Sequence, residues 1–112
     1  MELKEQLIEQ IESLGPVRFS NSFGWICIYS GKNLFGGYKV LDDNIFLLFL
    51  ILSPKGFQQS LNEGFQKFDF GKTWAETEIS LEDDIPRVSP FIQDAFDYSK
   101  ERKAIKDLKR KR

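Results

Sequence analysis

The sequence predicts a single α+β domain: an antiparallel sheet of about five strands packed by helices, in the order α-β-β-β-α-β-β-α. Three observations carry this. The first is an unbroken apolar run, residues 45–52, set between Asp42-Asp43-Asn44 and Ser53-Pro54. It is far too short for a membrane helix, which needs about 20 residues, and its borders are turn signals, so it reads as a strand buried on both faces and covered by other elements. The second is a set of shorter apolar stretches punctuated by Gly, Asn and Asp. The third is helical spacing of apolar residues near both ends of the chain.

Each element follows in order. Leu3, Leu7, Ile8, Ile11 and Leu14 form one helical stripe, and Gly15-Pro16 ends it, placing a helix at about residues 2–14. Val17 and Phe19 give a short extended lead-in. Phe23 to Tyr29 is a strand with Trp25, Cys27 and Tyr29 on one side and Ile26 and Ile28 on the other. Ser30-Gly31-Lys32-Asn33 turns the chain into a strand over residues 34–41. Gly36-Gly37 within it signals a bulge or a close approach to the backbone. The apolar run is the third strand. Ser53-Pro54 starts a helix by side-chain cap and first-turn proline, with Phe57 and Leu61 inward and Gly64 as its stop. Residues 65–70 and 74–79 read as two more strands around Gly71. Ser80-Leu81-Glu82-Asp83 resembles a capping box, and Ser89-Pro90 starts a last helix with Phe91, Ile92, Ala95 and Phe96 inward.

The 112 residues make one domain, taken as residues 1–99, with residues 100–112 as a basic C-terminal tail or helix extension. Net charge is −1, yet that tail carries eight Lys/Arg against two Asp/Glu. The rest of the chain is acidic, with fifteen Asp/Glu against eight Lys/Arg. The first residues are charged and helical rather than a signal peptide, and the single cysteine excludes an internal disulfide, so a cytoplasmic setting is expected. There is no histidine and no phosphate loop, and no cofactor is expected.

Two segments resemble a group of small, mostly uncharacterised domains, the TfoX N-terminal, YdhG-like and YjbR-like families. Leu14-Gly15-Pro16-Val17, then Phe23-Gly24, Ile28-Tyr29 and Phe35, are similar to the TfoX-type opening. Gly71-Lys72-Thr73-Trp74, Ile79-Ser80-Leu81-Glu82-Asp83 and Phe91-Ile92-Gln93-Asp94-Ala95-Phe96 are similar to the YdhG-type close. The resemblance implies the topology above. It also raises a frataxin-like role in weak iron binding for the YdhG-type members and a regulatory setting for the TfoX type.

Four groups of residues carry candidate chemistry. Glu76 and Glu78 alternate on one strand face, with Glu82, Asp83 and Asp84 just beyond; such a ridge either holds a hard cation or is a solvated edge with helix-start acids. Trp25, Tyr29 and Tyr38, with Trp74, either pack inside or form a partner-binding patch for another protein or a second copy. Lys106, Lys109, Arg110, Lys111 and Arg112 either contact nucleic acid without regard to sequence or stabilise a helix C-terminus. Cys27, with no histidine to activate it, reads as packing. The sequence thus predicts a non-enzymatic binding domain contacting a protein partner or itself, without a membrane segment.

Overall fold

The computed structural model describes the backbone of residues 2–110 and the side chains of residues 2–102. The chain runs α1 (Leu3–Glu12), β1 (Arg18–Ser22), β2 (Trp25–Ser30), β3 (Asn33–Asp42), β4 (Ile45–Ile51), α2 (Pro54–Leu61), β5 (Gln66–Lys67), β6 (Trp74–Ile79) and α3 (Asp84–Arg110). The six strands form one antiparallel sheet in the order β1-β2-β3-β4-β6-β5. The fold class is the one the sequence predicts. The strand count rises to six because the lead-in after Pro16 pairs in full with β2, from Arg18 opposite Tyr29 to Ser22 opposite Trp25.

The apolar run is central, between β3 and β6. Its two faces are covered differently. Phe46, Leu48 and Leu50 join Ile28, Tyr38, Ala75 and Ile79 under the helices, where Leu7, Ile11, Val88, Ile92 and Phe96 close the core. Each fully buried Leu or Ile there contributes about 1.5–3 kcal/mol relative to exposure. Among the described residues, no helix lies on the opposite face. Phe49 is nonetheless only 4% exposed, because rings from neighbouring strands and a loop pack on it, and Ile51, opposite Trp74 in the ladder, is 5% exposed.

Gly36-Gly37 does both things expected of it. The register between β2 and β3 slips there, leaving Phe35 as the extra residue, with its ring fully buried against Phe96. At Gly37 a Cβ would lie 2.5 Å from Cε1 of Phe49, so only glycine lets that ring lie across the strand.

Three elements differ from the sequence expectation. Residues 65–70 give only the two-residue β5, since Phe68 and Phe70 leave the strand to fold over the open face. Leu61 is 41% exposed, and Ser60 takes the inward place on α2, its hydroxyl donating to the Phe57 carbonyl. The last helix begins at Asp84, five residues before the expected Ser89 start, and runs through Pro90 without a break. Pro90 lacks the amide that would serve the Pro86 carbonyl. Both prolines lie on the exposed side of α3, away from the core. Ile85, Val88, Phe91, Ile92, Ala95 and Phe96 on the inner side hold the helix to the core. No helix among the described residues is long and apolar enough to cross a membrane.

Candidate functional site: an aromatic groove on the open sheet face

The alternation of β2 places Trp25 and Cys27 on the side away from the helices, while Ile28 enters the core. The same alternation puts Phe49 of β4 and Trp74 of β6 there. Phe49 and Trp74 stack flat, with centroids 5.3 Å apart and planes 2° apart. Trp25 meets Phe49 edge to face at 5.2 Å. The β5–β6 loop then lays Phe68 against Trp25, Phe49 and Trp74, and Phe70 against Phe68 at 4.8 Å. Gly71 permits this fold-over, since a Cβ on it would meet the Trp74 indole at 2.4 Å.

These rings surround a groove of about 370 Å³, lined by Ser22, Phe23, Trp25, Cys27, Leu34, Phe49, Phe68, Phe70 and Trp74. Two rims are unusual. Phe23 is 99% exposed at the tip of the β1–β2 hairpin, and its φ of +52° places it in the left-handed region that a bulky side chain rarely adopts. Gly24 follows with φ +83°, completing the mirror-image turn that a tight hairpin requires. Phe70, on the opposite rim, is 75% exposed. Cys27 lies in the lining, and burial pushes its thiol above the ordinary range, away from the reactive thiolate. Lys39 places its Nζ 5.8 Å from the Trp25 ring.

The three aromatics expected at a partner surface part company. Trp25 lines the groove. Tyr29 is half-buried under Arg18, whose guanidinium carbon lies 4.4 Å from its ring centre. Tyr38 is corrected: it faces the helices, is 4% exposed and packs edge to face with Phe46, so it has no access to a partner. The sequence reading missed Phe23, Phe49, Phe68 and Phe70. The available signal was a glycine directly after Phe23 and Phe70, and the Gly37 that the Phe49 ring crosses.

The acidic ridge does not assemble into a cation site. Among the described residues, no three His, Cys, Asp or Glu side chains come together in a way that could hold a metal ion. Asp84 turns inward, accepting hydrogen bonds from the Ser80 and Leu81 amides at 2.9 Å and pairing with Arg87 at 3.1 Å. Burial works to raise its carboxyl, but those amides and the Arg87 guanidinium together hold it below the ordinary carboxylate range. Glu82 accepts from the Gln6 side chain. Glu76 is pushed up by burial and, secondarily, by the charge of Asp69. Glu78 and Asp83 are exposed.

A larger depression of about 510 Å³ lies at the outer edge of β6, lined by Glu76, Glu78, Ser80, Asp84, Arg87 and their neighbours. Arg87, Asp84 and the Thr77 hydroxyl in its lining are already engaged with one another and with the backbone. Arg87 donates to the carbonyls of Glu63 and Glu78, the Thr77 hydroxyl and the Asp84 carboxylate. It thereby occupies the stretch of β6 that the short β5 leaves unpaired. The basic residues expected to meet nucleic acid, Lys106, Lys109, Arg110, Lys111 and Arg112, have side chains outside the described residues. No family model matches the chain, and neither a curated protein nor a solved structure matches it.

Proposed function

We propose that the chain is a non-enzymatic binding module that seats an apolar segment of a protein partner in the aromatic groove of its open sheet face. The observation that carries this reading is Phe23. A large ring is held in a strained backbone conformation, almost wholly in water, at the mouth of a groove lined by five further aromatic rings and Leu34. Strain of this kind costs about 1–3 kcal/mol and tends to persist where the residue has work to do. The volume lies near the lower end of the range for ligand sites. Besides the Ser22 hydroxyl, the Cys27 thiol and the indole N–H groups of Trp25 and Trp74, the lining is apolar and carries no charge to orient a polar small molecule, whereas large aromatic side chains are the usual anchors of protein interfaces. A chain without histidine, whose single thiol is held protonated, supports a binding role over a catalytic one.

Trp25 and Trp74 are the two tryptophans of the chain, and both line the groove, so intrinsic fluorescence reports on it directly. Peptides selected from a random library against the full chain are expected to carry large apolar anchors. They should shift the tryptophan emission to the blue on binding and lose at least tenfold in affinity with Phe23→Asp or Phe70→Asp. Selected peptides that leave the emission unchanged place the contact elsewhere and refute the reading. A light-scattering mass of two chains that Phe70→Asp reduces to one makes the occupant a second copy instead.

A further inference from the structure

We infer that the end of the sheet farthest from the Phe23 hairpin is a nucleic-acid contact surface, built by the body of the domain together with α3. The strand register brings the start of β1, the β2–β3 hairpin and the later turns of α3 to this one end. Arg18 pairs opposite Tyr29, Tyr29 opposite Leu34, and the Leu34 carbonyl accepts from Nη2 of Arg102 at 2.9 Å. Asn33 of the hairpin donates to the Ser99 carbonyl at 3.0 Å, fixing α3 against the turn that carries Lys32. Arg18, Lys32, Lys100 and Arg102 therefore share one end of the molecule, although they lie as much as 84 positions apart in sequence. The opposite end is acidic, with Asp42 and Asp43 in the β3–β4 turn and with Glu2 and Glu82 around one depression.

The match is to nucleic acid because two of these cations sit on flat rings. The Arg18 guanidinium carbon is 4.4 Å from the centre of Tyr29 and that of Arg102 is 5.3 Å from the centre of Tyr98. Arginine planes beside aromatic rings suit both phosphates and bases. The α3 backbone continues to Arg110, about 15 Å beyond Lys100 at the helical rise, and beside Lys100 and Arg102 its sequence adds Lys103, Lys106, Lys109 and Arg110 against Glu101 and Asp107. An anionic membrane surface would require a broad apolar face beside the cations. Beyond Arg102 the sequence offers only Ala104, Ile105 and Leu108.

The test uses the full chain and fluorescein-labelled oligonucleotides, a single strand and a duplex, followed by anisotropy between 50 and 200 mM salt. Arg18 and Lys32 are both exposed, so Arg18→Glu with Lys32→Glu tests the body of the domain without entering the core. Circular dichroism matching the wild type confirms that the double variant folds. The double variant is expected to bind at least tenfold more weakly at 50 mM salt. The slope of log affinity against log salt should become shallower by about 1.4 on the single strand or about 1.8 on the duplex, as two lost phosphate contacts require. Lys4→Glu, near the acidic end, should change neither. No anisotropy change with the wild type at 50 mM salt overturns the inference. So does a double variant that binds like the wild type, and so does binding to phosphatidylserine vesicles without binding to either oligonucleotide.

Discussion

Replacing Arg87 by alanine is expected to destabilise the domain by about 3 kcal/mol. The side chain makes five hydrogen bonds to four acceptors. The carbonyls of Glu63 and Glu78 belong to exposed residues, so water replaces the lost donor, and each costs about 0.5 kcal/mol. The Thr77 hydroxyl belongs to a residue only 5% exposed, and the Asp84 side chain is 18% exposed; losing the guanidinium costs about 1 kcal/mol at each. With a urea slope of about 1.2 kcal/mol per M, the unfolding midpoint should fall by about 2.5 M. Arg87→Lys keeps the charge but not the planar fork, and a single ammonium cannot reach acceptors on β6, in the turn after α2 and at the start of α3 together, so it should recover about a third of the loss. The freed β6 edge also exposes an unpaired stretch of strand, so the alanine variant should self-associate at lower concentration than the wild type. A loss below 1 kcal/mol for Arg87→Ala, or a lysine variant as stable as the wild type, would refute the account of Arg87 as the closure of that edge.

Asp84 ties acid stability to the same corner of the fold. Its folded pKa lies below the unfolded one, so the ionised carboxylate contributes stability that is fully present above the unfolded value and is lost as pH falls through the folded value. Asp84→Asn should therefore be less stable than the wild type at pH 7 and flatter on the acid side, with the two urea-midpoint curves converging there. Phe23→Asn should raise stability by about 1 kcal/mol in urea, because asparagine tolerates the left-handed region and the phenylalanine ring buries nothing, while peptide binding in the groove falls. Asp94→Ala should lower stability by about 1–2 kcal/mol and speed amide exchange at the start of α2. Its carboxylate accepts from both the amide and the hydroxyl of Ser53, the residue whose hydroxyl oxygen also caps α2 at the Gly56 amide.

The groove was only partly legible in the sequence. Trp25 and Cys27 could be placed on one strand side by alternation, and Gly37 flagged a close approach before the approaching ring was known. Tyr38 could not be told from Trp25, because the intervening strand order decides which side of a sheet the helices cover. The strand expected over residues 65–70 forms only at Gln66–Lys67, and the reason is tertiary. Phe68 and Phe70 alternate with polar neighbours as strand residues do, yet they gain more by stacking on Trp25, Phe49 and Trp74 than by extending a ladder along an edge. Ser89-Pro90 looked like a helix start because a cap followed by proline is locally favoured there. Burial of Ile85 and Val88 on the turns before it outweighs the single lost backbone bond.

By itself the sequence determined the local grammar: the buried central strand, the helix ended by Gly15-Pro16, the Ser53 cap, the hairpin turns and the opposition of acidic body to basic tail. These are short-range properties, set by periodicity, φ preference and charge within a few residues. Only the tertiary structure decided which sheet face the helices would leave open, that aromatic rings from β2, β4, β6 and the β5–β6 loop would meet on it, and that Arg18, Lys32 and Arg102 would share one end. Such meetings depend on strand order and register, which bring distant residues together and which no local pattern encodes.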